Sequence, residues 1–223
     1  MFKNKRIIRL IVIVIIVVII FFLIFKYVLT KFFITGNNRS SQEIVDYILS
    51  ISSYKSEIDV EIKSNKNTNK YKINQIYIKD KISSQEIIEP SNLKGISIIK
   101  ENNDLQVKNS NLNLVKIIKD YKEVIGNNLD LITFIDDYKT NSKSKYYEQN
   151  SLIVMETVSK SENIYNKYET LYIDKDKLKP IRLEIKDTNQ NTIIYIIYND
   201  IKINEVDNEN IYAFKTLSRN KDI

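Results

Sequence analysis

Residues Leu10 to Phe25 form an unbroken apolar run, LIVIVIIVVIIFFLIF, with Lys3, Lys5, Arg6 and Arg9 just ahead of it. Few structures can accommodate such a run. At about 1.5 Å per residue it spans roughly 24 Å as a helix, a little short of a ~30 Å hydrocarbon core. Ile7 and Ile8 extend it if Arg9 snorkels, and Tyr27 to Leu29 extend it if Lys26 does the same. Its β-branched residues do not oppose a helix in lipid, where the backbone has no other way to pair its polar groups. The stretch that follows, KYVLTKFFITG, offers no small-residue cleavage site, and the chain has no cysteine to carry a lipid. The sequence therefore predicts an uncleaved single-pass signal anchor.

Charge sets the expected orientation and removes one class of partner. Residues 1–39 carry seven basic groups and no acid, and four of the seven precede the apolar run. The positive-inside tendency then places the N-terminus in the cytoplasm and the main domain outside it. The whole chain is +6, but beyond residue 39 the count is 27 basic against 28 acidic. The basic balance belongs to the anchor flanks, and no nucleic-acid partner is expected. The expected organisation is a cytoplasmic tail at 1–9, an anchor at 10–29, a linker at 30–39, an extracytoplasmic domain at 40–214 and a polar tail at 215–223.

The domain reads as α+β. Ser40 and Glu43 fit a capping box, and Ile44, Val45, Ile48 and Leu49 share one helical face behind it. In Tyr54–Ile62 the even positions are Tyr, Ser, Ile, Val and Ile while the odd ones are Lys, Glu, Asp and Glu, which predicts a strand with one wet face. A return strand at 70–79 changes its apolar parity midway, pointing to a bulge or a covered face. Shorter strands are expected at 82–88, 96–100 and 104–108. Leu114, Val115, Ile118, Tyr121 and Ile125 lie at helical spacing before Gly126, predicting a helix there, and a second helix is expected from Asp130. Strands follow at 145–149, 151–159, 167–174, 180–187, 192–199 and 201–206. All plausible connections are short, so the sheet is expected to be antiparallel.

The inventory for chemistry is sparse. Three glycines, at 36, 95 and 126, exclude a P-loop and a dinucleotide fingerprint. The absence of histidine and cysteine removes the usual nucleophile–base pairs, disulfides and thiolate metal sites. Asp136 and Asp137 read as a solvated helix edge. Asp174 with Asp176, and Asp187 with Asn189 and Asn191, resemble fragments of calcium loops, but Thr192 and Tyr198 stand where such a loop needs Gly and Glu, so both read as turns. No catalytic residue, cofactor or metal is expected.

Two stretches carry a family resemblance. YKSEIDVEIKSNKNTNKYKINQIYIKDKISSQEIIEPSNLKGISII resembles the first half of LolA-like domains, with the segment from Pro90 to Gly95 entering a new hairpin. LYIDKDKLKPIRLEIKDTNQNTIIYIIYNDIKIN resembles the C-terminal meander of that family, although Asn189-Gln190-Asn191 replaces its usual hairpin glycine. Over about residues 41–214 the chain is most similar to the GerS-type germination proteins of spore-forming clostridia, with a transmembrane segment in place of a lipid-bearing cysteine. The resemblance implies a curved half-barrel with helices over its concave face. It implies a non-enzymatic module that positions a cell-wall, spore-cortex amidase during sporulation or germination. The alternative it allows is a carrier or sensor for a lipid or lipoprotein held in the concavity. The candidate cavity lining is Ile58, Val60, Ile62, Ile73, Leu183 and Ile185, with packing of these residues under helices at 41–53 and 113–139 the favoured reading.

Overall fold

In a computed structural model of the chain, the structure describes Ile20 and residues 39–64, 66–121, 129–160 and 163–205. Apart from Ile20, the expected anchor at 10–29 lies outside these residues, as do most of the linker and the tail at 215–223. Among the described residues no helix is long and apolar enough to cross a membrane. The chain divides into two units, Met1–Arg39 and Ser40–Ile223. The sheet and both described helices belong to the second.

The second unit opens with α1 (Ser41–Leu49). The expected capping box is in place: the Ser40 amide donates to Glu43 Oε2 at 2.7 Å, and the Glu43 amide donates to Ser40 Oγ at 3.3 Å. Ile44, Val45 and Ile48 are its buried residues.

Eleven strands then form one antiparallel sheet. They are β1 (Ser53–Lys63), β2 (Thr68–Ile78), β3 (Ile82–Glu89), β4 (Ile96–Glu101), β5 (Asp104–Asn109) and β6 (Leu114–Ile118), followed after α2 (Leu131–Thr140) by β7 (Lys145–Gln149), β8 (Leu152–Val158), β9 (Tyr168–Asp174), β10 (Lys179–Lys186) and β11 (Thr192–Ile203). The spatial order is β6-β5-β4-β3-β2-β1-β11-β10-β9-β8-β7. Each half is a meander of neighbouring hairpins, and β1 joins the halves by pairing with β11. The sheet is not closed, because β6 and β7 stand at its two ends.

Alternation decides which face is covered. Tyr54, Ser56, Ile58 and Val60 of β1 are buried, and Lys55 and Asp59 between them are exposed. Residues directly paired across strands share a face, so Tyr77, Ile73 and Tyr71 join that face from β2, and Tyr198, Ile196 and Ile194 join it from β11. The Tyr54 and Tyr77 rings stack at 5.6 Å. Both helices lie on this face. Their buried residues Ile44, Val45, Ile48, Leu131, Phe134 and Ile135 merge with those of the strands into one core cluster. The opposite face carries cross-strand ion pairs, such as Lys70 with Glu61 at 3.2 Å.

Two expectations need correction, and a third is resolved between its alternatives. Leu114–Ile118 is a strand, not the start of a helix: it pairs residue for residue with β5. A short apolar β-branched stretch satisfies helical spacing by chance, and the hairpin with β5 supplies the backbone partners that decide the outcome. Helix at 113–139 is therefore confined, among the described residues, to the part from Leu131 on. The expected break near Asp200 is instead a bulge within one continuous β11, where the register with β1 shifts between Glu57 and Ile58. The pairing of β2 with β1 is unbroken, while its pairing with β3 shifts register between Lys72 and Ile73, before the parity change. The parity change follows the covered-face alternative: Ile76, on the face away from the helices, is buried.

Candidate functional site

The six residues expected to line a cavity divide cleanly. Ile58, Val60, Ile73, Leu183 and Ile185 are buried in the core cluster, and Ile62 packs against it half-buried. Phe134, Ile135 and Leu131 of α2 belong to the same cluster. The structure thus brings all six together on the helix-bearing face, in contact with a core to which the protein's own helices contribute.

The hollow on that face runs along α2 from Asp130 to Asp137, and none of the six lines it. It has a volume of about 570 Å³, and Tyr77, Lys100, Asp130, Asp136, Asp137 and Lys160 are among its lining residues. Asp130 is the N-cap of α2, yet its side chain makes no capping bond. Its carboxylate instead accepts from Gln85 Nε2 at 2.5 Å and from Ser83 Oγ at 3.4 Å, tying α2 to β3. Gln75 Nε2 donates to the Leu129 carbonyl at 2.9 Å and ties the same end to β2. Burial pushes the Tyr54 hydroxyl well above its ordinary range, and the negative charge of Asp130 adds to this. Burial, assisted by nearby acids, also raises Tyr77 to about 12. These phenols stay neutral at physiological pH.

Toward its C-terminal end α2 buries Asp137, and β9 buries Glu169, two acids that the sequence did not reveal as buried. Asp137 is buried, contrary to the expected solvated edge, while Asp136 is exposed. Asp137 accepts from the Lys160 amide at 3.2 Å and pairs with Lys160 Nζ at 3.7 Å. Glu169 of β9 is 1% exposed, and its Oε2 has no hydrogen-bond partner. Burial, reinforced by the charge of Asp137, raises the Glu169 carboxyl from 4.5 to about 8. A carboxyl in this state is a neutral group at pH 7. The clue was available: in YETLYID, Glu169 shares its parity with Leu171 and Ile173, which are both buried.

The two aspartate turns are turns. Asp174 Oδ1 accepts from the amides of Asp176 and Lys177 at 3.0 and 2.9 Å. Asp187 Oδ1 accepts from those of Asn189 and Asn191, both at 2.8 Å. Hydrogen bonds from Asn191 hold the Asp187 carboxyl below its ordinary range. Among the described residues no group of three or more acids is placed to hold a metal ion.

On the opposite face a second hollow of about 560 Å³ is lined by Asp59, Glu61, Lys63, Lys70, Lys72 and Tyr195, among others. Its charges largely satisfy one another: Glu61 lies 3.6 Å from Lys63 and 3.2 Å from Lys70, and Lys63 Nζ sits 4.4 Å above the Tyr195 ring. Exposed pairs of this kind contribute little to stability and leave little unbalanced charge for a ligand.

The remaining surface of note is the wing formed by β4, β5 and β6. The hairpin entering it is fixed by Gly95, whose φ of +84° suits glycine and whose amide donates to the Ile87 carbonyl at 3.0 Å. Cross-strand pairing sets Gln85, Ile98, Val107 and Lys116 in one row on the helix-bearing face. Toward β6 that row leaves the core, and Ile98, Leu114 and Ile118 are exposed there.

Comparison with known proteins gives several similar chains and a family. A chain in the complex of the CwlD amidase with the GerS lipoprotein from Clostridioides difficile is 25% identical, with a TM-score of 0.48, covering 71% of this chain and 91% of that one. An uncharacterized conserved protein from Thermus thermophilus is 11% identical, with a TM-score of 0.49 and coverages of 78% and 93%. A LolA superfamily protein from Nitrosomonas europaea is 11% identical, with a TM-score of 0.40 and coverages of 77% and 96%. No curated protein matches the chain. A family model described as sporulation protein YdcC-like matches residues 8–212, a span that takes in both the apolar run and the sheet domain. The chain belongs to the sporulation protein YdcC-like family.

Proposed function

We propose that this chain is a membrane-anchored, non-enzymatic binding module of sporulation, which holds a cell-wall amidase at the outer surface of a membrane. The observation that carries this reading is the span of the family match, 8–212, which joins the apolar run and the domain in one sporulation protein. The apolar run with its basic flank supplies the tether. The GerS-type resemblance of residues 41–214 supplies the amidase as partner. The side chains add support: the Asp174 and Asp187 carboxylates are spent on turns, and Asp130 on tying α2 to β3.

Two measurements test this. The purified full chain, in mild detergent, is mixed with the cortex amidase of the same organism and passed over a sizing column. Co-elution at a fixed ratio is expected, and separate elution of the two proteins overturns the partner. For orientation, the chain has no cysteine, so Asn189→Cys in an exposed turn gives one reporter thiol. A membrane-impermeant maleimide should label it in intact cells. Labelling only after lysis overturns the outward-facing domain.

A further inference from the structure

The two edges of the open sheet are built in opposite ways. An edge strand offers a row of unpaired backbone N–H and C=O groups, and proteins normally guard such a row with charges or cover it. β7 is guarded. Lys145 pairs with Glu156 at 3.0 Å, Glu148 with Lys175 at 2.7 Å, and Glu148 Oε2 accepts from Ser41 Oγ at 2.9 Å. Tyr146 and Tyr147 donate their hydroxyls to Gln42 Oε1 and Glu156 Oε1.

Among the described residues β6 carries a single charge, Lys116, and no ion pair. It reads LVKII, and all five residues are exposed: Leu114 60%, Val115 48%, Ile117 56% and Ile118 37%, with Lys116 between them. Apolar side chains stand on both faces of the strand, since Leu114 and Ile118 share the parity of Lys116, and Val115 and Ile117 the other. A strand that exposes apolar groups on both faces, beside an open backbone ladder, fits one kind of occupant: another extended strand, whose alternate side chains continue both faces.

Lys116 narrows the occupant further. A second copy of this chain, laid antiparallel so that all five residues pair, sets Leu114 against Ile118, Val115 against Ile117 and Lys116 against Lys116. Like charges directly opposite are destabilising, and registers that avoid the clash leave only part of the strand paired. A carboxylate at the centre of the partner strand reverses the sign.

We infer that the β6 edge is a strand-docking site, which takes an extended segment of another protein bearing an acidic residue between β-branched apolar ones. This deepens the binding-module reading above and rests on it, by naming the surface and the partner's chemistry. In the complex the partner's carboxylate lies opposite Lys116, and its apolar residues cover Leu114 and Ile118 on one face and Val115 and Ile117 on the other.

The test uses the full chain in mild detergent and two synthetic peptides. One is Thr-Val-Ile-Glu-Ile-Val-Thr, and its twin has Lys in place of Glu. Amide hydrogen exchange is followed by mass spectrometry. The Glu peptide should slow exchange across Leu114–Ile118, with the Lys twin binding roughly three- to tenfold more weakly. Lys116→Glu alters an exposed side chain, leaves the β5 pairing in place and should invert the preference. Equal binding of the twins, slowing at Lys145–Gln149 instead, or no slowing with either peptide overturns the inference. So does a dimeric mass with Leu114–Ile118 already protected before peptide is added, since a second copy then fills the edge. If the amidase co-elutes with wild type and with Lys116→Glu alike, the edge assignment fails while the binding module stands. If the peptide result holds and the amidase elutes alone, the edge stands and the amidase does not.

Discussion

Glu169 occupies a position where strand alternation calls for an apolar residue, and its environment makes it behave nearly as one. Its neighbours on that parity, Leu171 and Ile173, are fully buried, and its Oε2 finds no hydrogen bond. Ionising it would leave a buried charge near Asp137, so the folded protein holds its proton to about pH 8. Unfolded, the same carboxyl loses its proton near 4.5. Between these two values the folded state binds more protons than the unfolded one, so stability falls as pH rises. The contribution is fully present below about 4.5 and is lost as pH passes through about 8. Replacing Glu169 by Gln removes the titration. Denaturation of wild type between pH 5 and 8 should show a decline on the order of a few kcal/mol that Glu169→Gln largely lacks. Parallel profiles for the two proteins would mean that Glu169 is solvated or paired in solution. The position was legible as an anomaly in YETLYID, but the nearby charge of Asp137 was not, because it depends on how α2 packs on the sheet.

At the scale of elements, signals that state their own partner were read correctly. The Ser40–Glu43 box names both ends of its hydrogen bonds, and the strict alternation of Tyr54–Ile62 names its covered face. What failed was a five-residue apolar stretch, Leu114–Ile118, whose fate depends on a neighbour. Sequence alone does not say that β5 lies beside it with open backbone groups. The six residues expected in the concavity were legible as inward-facing for the same reason as β1, but what fills the space between them was not. Phe134 is 1% exposed and tilts against Tyr138 at 5.9 Å between centroids. If α2 fills the concavity, Phe134→Ala leaves a hole and costs about 3–5 kcal/mol in chemical denaturation. A loss under ~1 kcal/mol would mean that α2 is readily displaced, and would return the lipid-carrier alternative to contention.

At the scale of the whole molecule, charge and hydropathy are divided by residue rather than spread. The first 39 residues carry the apolar run and a surplus of seven basic groups, while the remainder is nearly neutral, at 27 basic against 28 acidic. The chain belongs to a sporulation protein family, and the proposed function gives the apolar run the role of tether and the domain that of holding a partner. The most direct measurement is the amount of cortex amidase that sediments with membranes from sporulating cells, with and without this chain. The account predicts that amidase retention falls to background when the chain is deleted and returns when the full chain is restored, but not when residues 40–223 are supplied without the apolar segment. Undiminished retention in the deletion strain would contradict it.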